Sequence, residues 1–260
     1  MRLLLNLTAR RDVAYNPEYH HHLRGVIWDY LRDTKYADWH GQRNKITFTY
    51  SNPFPVTDPK EGNEQSVLVS SPHNGLVETL YNNIQPEDEF NIGEMPFLVD
   101  NASLFEVDVG EPGTEGTLHT DTGVYIPLPK EKWDEYGIDV PYNTEQIGWS
   151  PEFDTSLFLD RVVKNVEWKQ SQLYGDYLET PDRYGLFDGY NFEKCYSVDT
   201  KVSSEGSGYE YTFVVTKWTF DYRVRSEDHR RWLNILLRSG IGWRNALGFG
   251  FLNIQSDTND

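Results

Sequence analysis

The spacing of apolar side chains predicts alternating strands and helices in the first part of the chain. Residues 2–9 are rich in leucine and predict a strand, and residues 19–31 repeat apolar side chains at the spacing of one helix face. Residues 45–51 alternate and contain β-branched side chains, which predicts a second strand. A third strand is predicted at residues 66–70, and a second helix at residues 75–84.

Two further strand-like segments complete this first pattern. They lie around residues 93–99 and 104–109, and they give the order strand, helix, two strands, helix, strand, which is that of a ferredoxin-like unit. Glycine, proline and acidic side chains at residues 111–116 then mark a boundary. We therefore predict one domain over residues 1–112 and a second over residues 113–260.

The same pattern restarts after the boundary. A strand is predicted at residues 117–128, a helix at residues 153–170, and alternating strands at residues 190–202 and 209–224. Residues 129–151 form a long insertion, whose aromatic side chains favour a satellite packing cluster over an exposed stacking surface.

A capped helix, a glycine-rich loop and a short strand close the second pattern. Ser226 is a predicted N-cap, acidic residues follow it, and residues 226–238 place apolar side chains on one helix face. Residues 249–254 predict the last strand. The predicted fold is α+β, with two tandem ferredoxin-like (RRM-like) βαββαβ units and a C-terminal glycine-rich loop.

The glycine-rich loop is the strongest motif of the chain. Gly240 and Gly242 form one Gly-x-Gly pair, Gly248 and Gly250 form another, and Arg244 lies between them. Glycine tolerates positive φ and lets another backbone come close, so the loop is suited to contact with a ligand. Dinucleotide and P-loop motifs run from strand through glycines to helix, and the order here is the reverse. A structural turn that joins helix to strand is the alternative.

Charge is distributed unevenly along the chain. The formal net charge is −17, yet residues 1–50 carry eight Lys/Arg against five Asp/Glu, and residues 210–250 carry seven against four. The acidic excess is therefore concentrated between these two segments. Such a composition is typical of a halophile's surface that keeps a local basic patch, and an ordinary acidic cytosolic protein is the alternative.

Nothing in the sequence indicates secretion or a membrane. The apolar run at residues 3–5 is too short for a signal peptide, and no later stretch is long enough to span a bilayer. The single cysteine, Cys195, is compatible with a reducing compartment. These observations predict a cytoplasmic protein with no membrane partner.

His40 is the histidine whose position is most suited to chemistry. It lies in a loop between the first predicted helix and the second predicted strand, and imidazole titrates near neutral pH. An exposed loop histidine without a role is the alternative. The run His20, His21, His22 lacks the cysteines or spaced carboxylates of a metal site, so no metal is predicted there. These histidines are instead suited to phosphate, together with a basic set formed by Arg10, Arg11 and Arg24.

The two Gly-x-Gly pairs at the C-terminus resemble the glycine-rich loop of CRISPR-associated repeat-processing endoribonucleases, the sixth Cas family of the RAMP superfamily. With the acidic composition, the resemblance implies a member from a halophilic archaeon. It also implies that His40 is catalytic, that Tyr30 or Tyr36 assists it, and that Lys45 supplies a cation. Arg43 is an equal candidate for the cation. RNA contacts are implied for Gly240, Gly242, Gly248, Gly250, Arg244, Arg43 and the basic set above.

The chemistry implied by the resemblance is RNA transesterification without a metal or other cofactor. A base removes the proton of a ribose 2′-OH, an acid protonates the leaving 5′-oxygen, and a cation stabilises the phosphate. The implied partners are CRISPR repeat RNA, as precursor and as mature guide RNA, and the resemblance leaves open an interference complex. The alternatives are a non-catalytic RNA-binding subunit of such a complex and a ferredoxin-like small-molecule sensor.

Overall fold

A computed structural model describes residues 1–42, 45–139, 147–175, 185–204 and 207–255. Two antiparallel sheets carry the fold, and each belongs to one of the two predicted units. The predicted domain boundary after residue 112 lies in the connection between the last strand of the first sheet and the first strand of the second.

The first unit contains a five-stranded sheet and two helices. Its elements are β1 (Arg2–Ala9), α1 (Tyr19–Leu31), β2 (Thr49–Tyr50), β3 (Glu64–Ser70), α2 (Asn74–Asn83), β4 (Glu89–Ile92) and β5 (Met95–Phe105). The sheet order is β2-β3-β1-β5-β4, with every neighbouring pair antiparallel. Without β4 this is the ferredoxin-like order, and β4 is an added strand that forms a hairpin with β5.

Two strand predictions in this unit have the wrong bounds. The strand predicted at residues 45–51 is paired only over β2, and the residues before Thr49 pack without joining the ladder. Gly93, predicted to begin a strand, instead lies in the β4–β5 turn with a φ of 61°, because Ile92 pairs with Met95 across it. The chain then continues through one long strand, β5, where two were predicted.

The second unit repeats the ferredoxin-like order. Its main elements are β6 (Glu115–Thr120), α3 (Thr155–Tyr174), β9 (Gly189–Ser204), β10 (Ser207–Arg223), α4 (Glu227–Ser239) and β11 (Leu252–Ile254). The sheet order is β11-β6-β10-β9, again antiparallel. A small separate pair, β7 (Pro127–Leu128) and β8 (Ile147–Gly148), lies in the connection between β6 and α3.

The strand predicted at residues 117–128 is also shorter than expected. β6 ends at Thr120, because the chain leaves the sheet and crosses beside the glycine loop, where Tyr125 forms an isolated bridge with Trp243. The aromatic side chains of the insertion that follows pack as predicted, but in the core rather than in a satellite cluster, since Trp133 and Trp149 are buried in the hydrophobic cluster of the second unit.

The two units pack against each other. Arg2 of β1 is 2% exposed, and its guanidinium donates to the carbonyl oxygens of Leu237 and Leu252 and to the side chain of Asn253. It also lies 4.6 Å from the ring centroid of Phe251. A small third hydrophobic cluster forms beside the glycine loop. Among the described helices, none is long and apolar enough to cross a membrane.

Candidate functional site

The glycine loop begins where α4 ends. As predicted, Ser226 caps the helix, and its hydroxyl accepts a hydrogen bond from the backbone N–H of His229 at 3.2 Å. Gly240 ends the helix with a φ of 81°, and Gly242, Gly248 and Gly250 also have positive φ. Arg244 takes the left-handed conformation as well, at a φ of 61°, so the turn displays a cation at its middle.

The surroundings of these glycines are protein atoms. A Cβ on Gly250 would overlap the carbonyl oxygen of Ile241, and a Cβ on Gly248 would overlap the ring of Tyr50. A Cβ on Gly242 would lie 2.7 Å from the carbonyl oxygen of Tyr125. The conformation and packing of the loop therefore require glycine at these positions even without a ligand.

Two polar side chains brace the loop from inside, and the sequence did not single out either of them. Asn245 donates to the carbonyl oxygens of Ile241 and Phe249 at 3.1 and 2.8 Å. Lys169 of α3 donates to the carbonyl oxygen of Gly240 at 2.5 Å and to Oδ1 of Asn245 at 2.8 Å. The usable signal was a lysine at helical spacing from Val162 and Val166, on the apolar face of α3.

The loop docks on the first unit through α1 and β2. His20 Nδ1 lies 2.7 Å from the carbonyl oxygen of Leu247, and the His20 ring meets Phe249 edge to face at 5.0 Å. Burial lowers the pKa of His20 to about 4, so its imidazole is neutral and its Nδ1–H donates to Leu247. Tyr50 of β2 donates to the carbonyl oxygen of His20 at 2.6 Å and is covered by Gly248.

One face of α1 connects this contact to the predicted catalytic histidine. His20, Arg24 and Trp28 are four residues apart, so their side chains lie in a row on one face of the helix. The row covers about 12 Å at 1.5 Å per residue. At its far end, the ring of Trp28 meets the ring of His40 edge to face, with centroids 5.0 Å apart.

Arg24, in the middle of the row, interacts electrostatically with charged groups of both units. Burial lowers the pKa of His40, and the positive charge of Arg24 lowers it further. The pKa of Arg24 is itself lowered, mainly by burial, and the charge of Arg244 contributes to that shift. The charge of Arg24 therefore acts on His40 and that of Arg244 acts on Arg24, although more than two hundred residues separate His40 from Arg244 in sequence.

The predicted assisting residues of His40 lie in different environments. Tyr36 is 6% exposed, and its hydroxyl packs against Gly75 at the start of α2. The hydroxyl of Tyr30 donates to Asp88 at 3.2 Å, and burial together with this carboxylate raises its pKa. The ammonium group of Lys45 lies 5.0 Å from the ring centroid of Trp39, the residue immediately before His40. Arg43 is outside the described residues.

The N-terminal arginines lie at the β4–β5 hairpin. Arg10 forms an ion pair with Glu89 at 2.6 Å, and Arg11 donates to the carbonyl oxygen of Glu94 at 3.4 Å. His22 packs against Gly93 at the same hairpin. In the part of the chain that the structure describes, no group of three or more His, Cys, Asp or Glu side chains is arranged to hold a metal ion.

The architecture defines a class of protein with two ferredoxin-like units and a C-terminal glycine loop packed between them. A solved structure described as CRISPR associated protein Cas6 has this fold, with a TM-score of 0.70 at 14% identity, over 98% of this chain and 99% of that one. The family model "CRISPR associated protein Cas6, C-terminal" matches residues 139–254.

Two curated relatives extend the match to nearly the whole chain. The CRISPR-associated endoribonuclease Cas6 of Haloferax mediterranei is 40% identical over 99% of this chain and 95% of its own length. The CRISPR-associated endoribonuclease Cas6 2 of Methanocaldococcus jannaschii is 26% identical over 97% of this chain and 99% of its own. The chain belongs to the Cas6 family of CRISPR-associated endoribonucleases. The Haloferax relative is consistent with the predicted halophilic surface.

Proposed function

We propose that this chain cleaves CRISPR precursor RNA within its repeats, by metal-independent transesterification at His40, and leaves 5′-OH and 2′,3′-cyclic phosphate ends. Membership of an endoribonuclease family supports the class of reaction. The observation that supports the site is the row on α1, which has His40 of the first unit at one end and the glycine loop of the second unit at the other.

The lowered pKa of His40 favours the role of general base. Its imidazole is neutral near pH 7, so it can accept the proton of the ribose 2′-OH as that oxygen attacks the adjacent phosphorus. The bond from phosphorus to the 5′-oxygen then breaks, and that oxygen takes up a proton to give the 5′-OH. The positive charge of Arg24 disfavours imidazolium in the free protein, and a bound phosphate offsets that charge as the proton arrives.

Cations around His40 are suited to the phosphate itself. Arg24 and Arg244 carry fixed positive charge, and guanidinium groups match phosphate oxygens in geometry. Lys45, held over the indole of Trp39, is a candidate for stabilising charge on the reacting phosphate, and Arg43 remains the other candidate. Tyr36 and Tyr30 receive no proton-transfer role here, because one is buried and the other donates to Asp88.

Binding of the repeat RNA is assigned to the glycine loop and to the basic side chains near it. The glycines of the loop are buried, and the loop exposes Arg244 at its middle. Arg10 and Arg11 extend the basic character to the β4–β5 hairpin, where they are suited to phosphates of the same RNA. Such contacts predict binding that weakens as salt concentration rises.

His40→Ala tests the catalytic claim. Losing a general base costs about 10²–10⁴ in rate, so we expect single-turnover cleavage of a labelled repeat RNA at saturating protein to fall by that factor. Binding should stay within a few-fold of wild type, because the interaction acts in the transition state. His119→Ala is the matched control, since this half-exposed histidine lies on β6 and pairs with Asp121.

The outcomes separate the alternatives. A near-wild-type rate for His40→Ala at saturation would show that His40 only contacts RNA. Wild-type protein that binds repeat RNA without cutting it would be a non-catalytic subunit, and protein that does neither would favour the sensor. Mass spectrometry of the products tests the end chemistry, since a 2′,3′-cyclic phosphate requires attack by the 2′-oxygen and a 3′-OH end would contradict it.

A further inference from the structure

Lys169 is a charged side chain in a place that charged side chains rarely occupy. It is 1% exposed, on the face of α3 that also buries Val162 and Val166. Burial alone lowers its pKa to about 7. Removing an ammonium group from water is costly, so a lysine at this depth is expected to have a specific role.

The partners of Lys169 are neutral and belong to the glycine loop. Its ammonium group donates to the carbonyl oxygen of Gly240, where α4 ends, and to Oδ1 of Asn245. Asn245 in turn donates to the carbonyl oxygens of Ile241 and Phe249, on the two sides of the loop. The ammonium group therefore begins a chain of hydrogen bonds that runs through Asn245 and spans the loop from Gly240 to Phe249.

Within the described residues, no carboxylate forms an ion pair with Lys169, and burial is the sole cause of its altered pKa. In the described part of the chain, the ammonium group is therefore bonded to neutral oxygens and has no countercharge. A negatively charged group bound at the outer side of the loop would attract this ammonium group strongly, because the protein between them has a low dielectric constant.

We infer that Lys169 is a positioning residue for RNA binding, whose buried ammonium group holds the glycine loop in its binding conformation and places a positive charge beneath it. The inference rests on the proposed RNA-binding role of the loop. Lys169 does not touch RNA in this account, because it acts through Gly240, Asn245 and its charge.

The variants are Lys169→Gln, which keeps a hydrogen-bond donor without the charge, and Lys169→Met, which removes both. Lys164→Gln is the matched control, since Lys164 is an exposed lysine on the same helix. We expect both Lys169 variants to bind repeat RNA about tenfold or more weakly than the control, because hydrogen bonds from charged donors are strong. The single-turnover rate at saturating protein should fall less than binding does, because Lys169 bonds the loop and does not contact His40.

A second measurement follows the loop without RNA. Hydrogen exchange of the backbone amides of Ile241 and Gly250, which are bonded across the loop and to Gly123, should be faster in Lys169→Met than in Lys164→Gln. Asn245→Ala, which removes the brace but leaves Lys169 in place, should accelerate the same amides and serves if the methionine variant fails to fold.

Several results would overturn the inference. Binding by both Lys169 variants at the level of the control would show that the charge is not used. Unchanged exchange in the loop would contradict the positioning role, and a rate at saturation that falls as much as binding would place Lys169 in the chemical step. If wild-type protein does not bind repeat RNA at all, the proposed function fails and this inference falls with it, which is a different result from failure of the variants alone.

Discussion

Gly250→Ala probes the conformation on which the loop depends. The new methyl group would overlap the carbonyl oxygen of Ile241, at a position whose φ is 70°. Two backbone hydrogen bonds prevent a simple shift, because the Gly250 N–H donates to Gly123 at 2.9 Å and its carbonyl accepts from Ile241 at 2.8 Å. The substitution therefore adds backbone strain and also breaks or lengthens the hydrogen bonds of Gly250 with Gly123 and Ile241.

The expected cost follows from these terms. A left-handed conformation costs a non-glycine residue about 1–2 kcal/mol, and losing two hydrogen bonds costs about 1 kcal/mol each. Together these give roughly 3–4 kcal/mol, which corresponds to a fall in Tm of about 10 °C for a chain of this size. Gly113→Ala is the matched control. Gly113 has a φ of 100° and open space where a methyl group would lie, so its substitution incurs the strain alone, which lowers Tm by about 2–8 °C.

Circular dichroism melts measure this difference, and fluorescence anisotropy with labelled repeat RNA measures the accompanying loss of binding. We expect Gly250→Ala to lose stability and binding together. A sequence motif alone suggests that binding would suffer first, but the overlapped atom is a protein carbonyl. A Tm for Gly250→Ala within about 2 °C of Gly113→Ala would refute the packing argument.

Three further predictions concern protons and metals. Arg24→Gln should raise the pKa of His40, since it removes a positive charge that lowers it, and the rise of cleavage rate with pH should move to higher pH; an unchanged pH–rate profile would contradict this. Chelator should leave cleavage unchanged, and activity restored only by added magnesium would remove the proposed mechanism. The pKa of His20 is about 4 in the folded protein and about 6.5 in the unfolded chain, so acid favours the unfolded chain. The free energy of unfolding should therefore fall by about 2 kcal/mol between pH 7 and pH 5 because of this group. Urea melts should show a smaller fall for His20→Gln.

Helices were predictable from the sequence because their signals are local. The periodicity of α1 gave both its ends, and Ser226 marked the start of α4 through a single capping hydroxyl. Strand bounds were less predictable, since pairing depends on the neighbour across the sheet. Gly93 is an example, because its flanking residues fit both the first position of a strand and a hairpin turn. The register of β4 against β5, in which Ile92 pairs with Met95, places Gly93 in the turn.

The candidate site was predictable only in part, for a similar reason. The position of His40 follows from the order of elements, and the glycines follow from their spacing. Their placement at the two ends of one face of α1 does not, because it depends on how α1 packs against the other unit. Lys169 gave a weak local signal, a charged residue on an apolar helix face, but its partners Gly240 and Asn245 are about seventy residues away.

The depth of these cations bears on how an acidic protein can hold RNA. With a net charge of −17, the chain cannot attract a polyanion over long distances, and at molar salt the Debye length falls to about 3 Å. Exposed lysines would contribute little under such conditions. Arg24 is half-buried and Lys169 is buried, and charges in such places are screened much less by salt. Under the proposed function, a halophilic member of this family would keep an acidic surface for solubility and would recognise phosphate through a few cations beneath and beside one glycine loop.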